Sequence, residues 1–177
     1  MRLKLAAIAL GIVIVASAVG ASAFTTATVE RDANLNVTTD SGGLVGLTAG
    51  DSGLVTETSN QLSIDVTEGT ASGVNPNSTL TIGNESSPAF NITNNFPNAH
   101  TFNVAYDMAN TDTTDGTKNV QFELINSSSG GTVATVNEDS GNETELAAEE
   151  TIGVIVTIDS TGKTSTDDLS GTLNVTA

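Results

Sequence analysis

The stretch Ile152-Gly153-Val154-Ile155-Val156-Thr157-Ile158 places an apolar residue at every second position. In extended backbone Ile152, Val154, Val156 and Ile158 therefore share one face. All four are β-branched, and such side chains pack well on a pleated surface. Ile155 makes the opposite face partly apolar as well.

The same period of two recurs outward from this segment. Phe102, Val104, Tyr106 and Met108 form one long face, and Val120, Phe122 and Leu124 another. Leu62, Ile64 and Val66 alternate with polar residues, as do the pairs Leu80/Ile82, Phe90/Ile92 and Leu173/Val175. Shorter alternations occur at Leu35/Val37 and Val45/Leu47. Between them lie turn-forming clusters, among them Asp40–Gly43, Asn75–Asn77, Asn94–Pro97, Ser127–Gly131 and Ser160–Gly162. This spacing predicts an all-β chain of about nine or ten strands, an antiparallel β-sandwich or jelly roll. Glu143–Glu150, ETELAAEE, is the one stretch of good helix propensity and predicts a single helical turn. Aromatic residues make up 3% of the chain, so the core has to be built from Val, Ile and Leu.

The N-terminus reads differently. Arg2 and Lys4 precede an apolar run from Leu5 to Val19, and Ala21-Ser22-Ala23 follows. A basic start, an apolar stretch and a small-residue box are the three regions of a secretory signal peptide. Residues 1–23 are predicted to be a signal helix cleaved after Ala23, with Phe24 as the new N-terminus and 24–177 as one domain. If the segment were retained, Leu5–Phe24 would be just long enough to span a bilayer, and that helix would be the only membrane contact.

Cleavage leaves three basic residues against 21 acidic ones, a formal charge of −18 for residues 24–177. Such a surface repels nucleic acid and anionic lipid, which excludes both as partners. The acids are dispersed rather than clustered. With few lysines and much Thr, Val, Gly and Ala, the pattern is that of a halophile surface, where molar salt screens carboxylate repulsion. The chain has no cysteine, so thiol chemistry and disulfides are absent.

Residues able to carry catalysis are scarce. Gly50-Asp51-Ser52-Gly53 resembles the sequence around a serine-protease nucleophile, but a lone histidine, His100, follows it instead of preceding it. The tetrapeptide reads as a turn. One histidine cannot supply a zinc site. Asp107, Asp112 and Asp115 bracket a Thr-rich loop and are weak calcium candidates, since carboxylates suit that ion. No enzyme activity and no cofactor are expected, and a secreted hydrolase is the minor alternative. Seven Asn-x-Ser/Thr sequons occur. Of these Asn77, Asn84, Asn126 and Asn142 fall in predicted turns and are the preferred glycan acceptors; Asn91 and Asn174 fall on strands.

The succession Gly20–Thr25, Val29–Asp32, Leu35–Thr38, Leu44–Leu47, Asn77–Leu80, Phe90–Asn94 and Val154–Asp159 resembles a family of haloarchaeal secreted proteins of unknown function. That family is distantly similar to the TasA and camelysin group of matrix-fibre subunits and to archaeal bundling pilins. The resemblance implies a jelly-roll subunit whose N-terminal strand completes the sheet of the next copy. Here that strand would be Phe24 to Val37, with Phe24, Val29, Leu35 and Val37 as its apolar residues. Self-association, or association with other surface proteins, follows as the expected partnership. Camelysin-like members have been called metallopeptidases, and this chain lacks the histidine pair such a role requires. The expectation is a secreted cell-surface or matrix structural protein of a halophilic archaeon, a fibre or pilus subunit. A monomeric or membrane-anchored surface binding module is the alternative.

Overall fold

The computed structural model describes residues 37–67, 70–109 and 118–177. The signal helix, the Ala21–Ala23 box, Phe24, Val29, Leu35, Asp112 and Asp115 lie outside the described residues. Every regular element among the described residues is a strand, and every pairing is antiparallel.

The Ile152–Ile158 stretch lies within β11 (Thr151–Asp159), the hub of a seven-stranded sheet. Along one edge β11 pairs with β8 (Val120–Asn126), from Ile152↔Asn126 to Ile158↔Val120. β8 pairs in turn with β9 (Thr132–Asn137). The register of that pair shifts between Leu124 and Ile125, leaving Val133 as an extra, exposed residue, a β-bulge.

The other edge of β11 is shared. Its C-terminal half pairs with β4 (Thr79–Asn84), ending at Val156↔Ile82, and its N-terminal half with β6 (Phe90–Asn94), from Val154↔Phe90. The two run in the same direction, so they act as one strand interrupted opposite Ile155. The interruption folds into a small hairpin with β5 (Ser87–Pro88), which reaches over the outer face of the sheet. Gly83 permits it: its φ is +81°, and a β-carbon there would strike the Ala89 amide. Under the hairpin Ile125 and Ile155 are buried although they face away from the main core, which accounts for the apolar outer position at Ile155. β1 (Val45–Ala49) extends the sheet beyond β6.

The second sheet has three strands, β10 (Asn142–Leu146), β7 (His100–Met108) and β12 (Gly171–Thr176), with β7 central. Phe102, Val104, Tyr106 and Leu146 point from it into the core and meet Phe90, Ile92, Phe122, Leu124, Val154 and Val156 from the larger sheet. The Tyr106 and Phe122 rings touch across the layers at 5.2 Å. The result is a β-sandwich-like core, filled by alternate residues of both sheets. A separate hairpin, β2 (Val55–Thr58) with β3 (Gln61–Ile64), completes the set.

Twelve strands are present among the described residues; eight match the expected alternations, and β2, β5, β9 and β10 were not expected. Glu143–Leu146 is strand, not a helical turn: Thr144 and Leu146 turn inward opposite Phe102 and His100, and this pairing outweighs local helix propensity. The chain then turns through Ala147–Glu150, where Glu150 N–H donates to the Ala147 carbonyl at 3.1 Å. β2 carries one buried residue, Val55, β5 is only two residues long, and in β9 Ala134 and Val136 are small and adjoin a bulge, so none of the three shows a clear alternation.

One polar side chain ties the layers together. Asn94, fully buried at the end of β6, donates through Nδ2 to the carbonyls of Asn98, Leu146 and Ala147 at 2.9–3.0 Å. Its Oδ1 accepts the Phe96 N–H at 2.9 Å. It thereby joins the seven-stranded sheet to the end of β10 in the other.

A candidate assembly cleft

On the β9–β10 side the two sheets meet through an Asn137↔Ser140 bridge. On the opposite side they do not close. β12 pairs with β7 along Gly171–Thr176, and no described residue pairs with its other edge. Beyond that edge opens a cleft of about 1050 Å³. Its floor is the inner face of the larger sheet, Val120, Phe122, Val156 and Ile158. Leu173 of β12 lines one wall, and Leu62 and Ile64 of β3 line the other.

Local sequence shapes each wall. Gly171 sits where a β-carbon would lie 2.6 Å from the Tyr106 ring, so the absence of a side chain lets β12 press against β7 at its start. Tyr106 donates its hydroxyl to the Leu169 carbonyl at 2.7 Å, which holds the Lys163–Ser170 segment over the end of the cleft. Burial, and then the negative charges of Glu138 and Asp168, push the Tyr106 phenol up to about 12. In the opposite wall Asp40 accepts the Leu62 N–H on Oδ2 at 2.7 Å and donates its own N–H to the Asn60 carbonyl at 3.1 Å. The chain thus enters the described body at the rim of the cleft, and Val37, three residues earlier, is fully exposed.

The mouth is polar. Lys163 is buried there, and Asp167 and Asp168 lie at the surface. Thr164 donates its backbone N–H and its hydroxyl to Asp167 Oδ2 at 2.7 and 3.0 Å, and these bonds, with a smaller contribution from the Lys163 charge, hold that carboxyl below its ordinary value. Ser170 has the same effect on Asp168.

The residues singled out for chemistry are not gathered here. Asp107 is exposed on β7 and accepts from Asn174 Nδ2 at 2.7 Å. Among the described residues no group of three or more His, Asp or Glu side chains stands close enough to hold a metal ion. His100 begins β7 with its ring stacked on Phe96 at 4.0 Å. Gly50–Gly53 is a turn, and Ser52 Oγ accepts the Leu54 N–H at 3.3 Å. Asn77 lies in a turn as expected, whereas Asn84 closes β4, Asn126 closes β8 and Asn142 opens β10. No described helix is long and apolar enough to cross a membrane.

Fold and cleft together define an all-β, sandwich-like body in which no described residue pairs with one edge of the smaller sheet. No family model, no curated protein and no solved structure matches the chain.

Proposed function

We propose that this chain is an exported structural subunit of a cell surface or extracellular matrix, and that it assembles by strand addition. Residues 24–36 of one copy would lie along the free edge of β12 in the next, completing the smaller sheet as a jelly roll. The single observation that carries this reading is the edge of β12, paired by no described residue, standing over a cleft whose floor is core side chains. An open edge offers main-chain donors and acceptors to an extended segment, and the cleft takes its alternate side chains.

Three further features support it. Phe24, Val29 and Leu35 supply apolar side chains for such a cleft. Fully extended, the thirteen residues 24–36 reach about 43–47 Å, against about 20 Å for the six residues of β12. Val37, the first described residue, lies fully at the surface. Export follows from residues 1–23, and the scarcity of cations on an acidic surface favours a halophilic source.

The test is assembly of the processed chain in molar salt, followed by light scattering and electron microscopy. High-mass fibres are expected from the intact protein. They should be lost on deleting residues 24–36, and lost again with Leu173→Arg, which sets a charge in the cleft of a chain that keeps its donor segment. Fibres that persist in both variants would overturn strand addition. A strictly monomeric intact chain would favour a surface binding module instead.

A further inference from the structure

We propose that Asn84 and Asn126 are the N-glycan acceptors of this chain, and that the outer face of the seven-stranded sheet is its glycosylated face. The proposal rests on the export part of the preceding reading, because the donor of the sugar is a lipid-phosphate-linked oligosaccharide on the outer side of the membrane.

Seven sequons are not equivalent once folded. In Asn84-Glu85-Ser86 the Asn84 Oδ1 accepts the N–H groups of Ser86 and Ser87 at 2.9 and 3.0 Å. In Asn126-Ser127-Ser128 the Asn126 Oδ1 accepts those of Ser128 and Ser129 at the same two distances. Both amides are therefore anchored through oxygen alone. Nδ2, the atom that must form the new bond, has no hydrogen-bond partner in either case, and the hydroxyl-bearing Ser86 and Ser128 are exposed. A sugar can be carried there without loss of any protein contact.

Among the described residues the sequons at Asn174, Asn91 and Asn142 lack this combination. Asn174 commits Nδ2 to Asp107. Thr93, in the Asn91 sequon, bonds its hydroxyl to Thr151 at 2.9 Å. Thr144, in the Asn142 sequon, is buried. Asn77 shares the oxygen-only anchor, to Gly162 N–H, and an exposed Thr79, but its backbone is held at φ +52° and its sequon runs into β4 instead of out into a turn.

The two favoured turns adjoin each other. A β-carbon on Gly130, in the turn after Asn126, would stand 3.3 Å from the Glu85 carboxylate, in the turn after Asn84. None of Asn84, Ser86, Asn126 or Ser128 lines the assembly cleft. Glycans at both positions would form one hydrophilic patch over the β5 hairpin and leave the cleft and the β12 edge bare.

In the reaction Asn Nδ2 attacks the anomeric C1 of the donor oligosaccharide. A C1–N bond forms as the C1–O bond to the lipid phosphate breaks. The amide nitrogen loses one proton to a base of the transferase, and the lipid phosphate departs with the bonding pair.

The experiment is intact mass and peptide mapping of the full chain purified from the cells that make it. The expected result is a processed N-terminus and one glycan on each of Asn84 and Asn126. Asn84→Gln and Ser86→Ala should each remove the first glycan, and Asn126→Gln and Ser128→Ala the second. The serine variants keep the asparagine and its turn, so a loss there reports the acceptor and not the fold. A processed chain bare at Asn84 and Asn126, whatever the other sequons carry, would overturn this proposal and leave export standing. An unprocessed, unmodified chain would overturn both.

Discussion

The ring of Pro88 lies directly over Gly153, with its Cβ 2.9 Å from where a β-carbon on that glycine would stand. Ile125 Cγ1 is 3.0 Å from the same point, so the interrupting hairpin is seated on the one place in β11 that carries no side chain. Replacement of Gly153 by Ala should therefore overpack this second, outer layer and destabilise the fold by about 1–3 kcal/mol. Gly131→Ala is the matched control, since the nearest atom to its added methyl would be at 3.5 Å and its φ is ordinary. Denaturant unfolding of both variants in molar salt is the check, and equal midpoints would show that the hairpin does not press on β11.

Asn94 should prove the most sensitive polar position in the described body. Alanine there strands the carbonyls of Asn98, Leu146 and Ala147 and the N–H of Phe96. At about 1–3 kcal/mol for the buried Leu146 carbonyl left without a partner, and less for each of the three part-buried groups, a loss of about 3 kcal/mol is expected. Asn94→Asp should be as damaging, because it turns an acceptor toward three carbonyls. The measurement is again the unfolding midpoint, with exposed Asn95→Ala for comparison.

Tyr106 gives a pH dependence with a definite sign. Its phenol is raised from 10.0 to about 12, so between those values the folded chain holds a proton that the unfolded chain has lost. The stabilisation is complete below about pH 10 and declines as pH rises toward 12. Stability followed over this range should fall more steeply for the native chain than for Tyr106→Phe. The variant itself should lose about 0.5–1.5 kcal/mol at neutral pH with the bond to Leu169. Parallel curves would remove Tyr106 from the alkaline transition.

The charge of −16 on the whole chain should make stability depend on salt. Raising sodium chloride from about 0.1 M to about 1 M shortens the screening length from about 10 to about 3 Å, so the thermal midpoint should rise steadily over that interval. Asp65, Asp159, Asp167 and Asp168 all have carboxyls held below their ordinary value by hydrogen bonds from neighbouring Thr or Ser. A midpoint insensitive to salt would sink the halophile reading.

The strands plainest in sequence are those with large inward residues at strict alternation, β7, β8 and β11, and the shorter alternations of β1, β3, β4, β6 and β12 were legible too. Their period is local, and burial follows from it. Thr144 and Leu146 were misjudged because ETELAAEE favours helix locally, while the competing pairing with Phe102 and His100 lies some forty residues away. The cleft was not legible at all. Its floor, walls and rim come from Asp40, Leu62, Phe122, Val156 and Leu173, which no window of sequence brings together. Asn94 read only as a turn former, since nothing local distinguishes an asparagine that bonds its own backbone from one that also reaches a second sheet.

The position of β11 in the chain governs how the protein can be made. The strand that β4, β6 and β8 all require is the second from the C-terminus. Its partners at residues 79–94 and 120–126 therefore emerge from the ribosome well before it, and none of them can complete the sheet alone. Non-local pairing of this kind belongs to the slow end of folding, roughly milliseconds to seconds. The earlier pairs β1–β6, β2–β3 and β8–β9 can form first, but they are joined into one sheet only when the last tenth of the chain is being made.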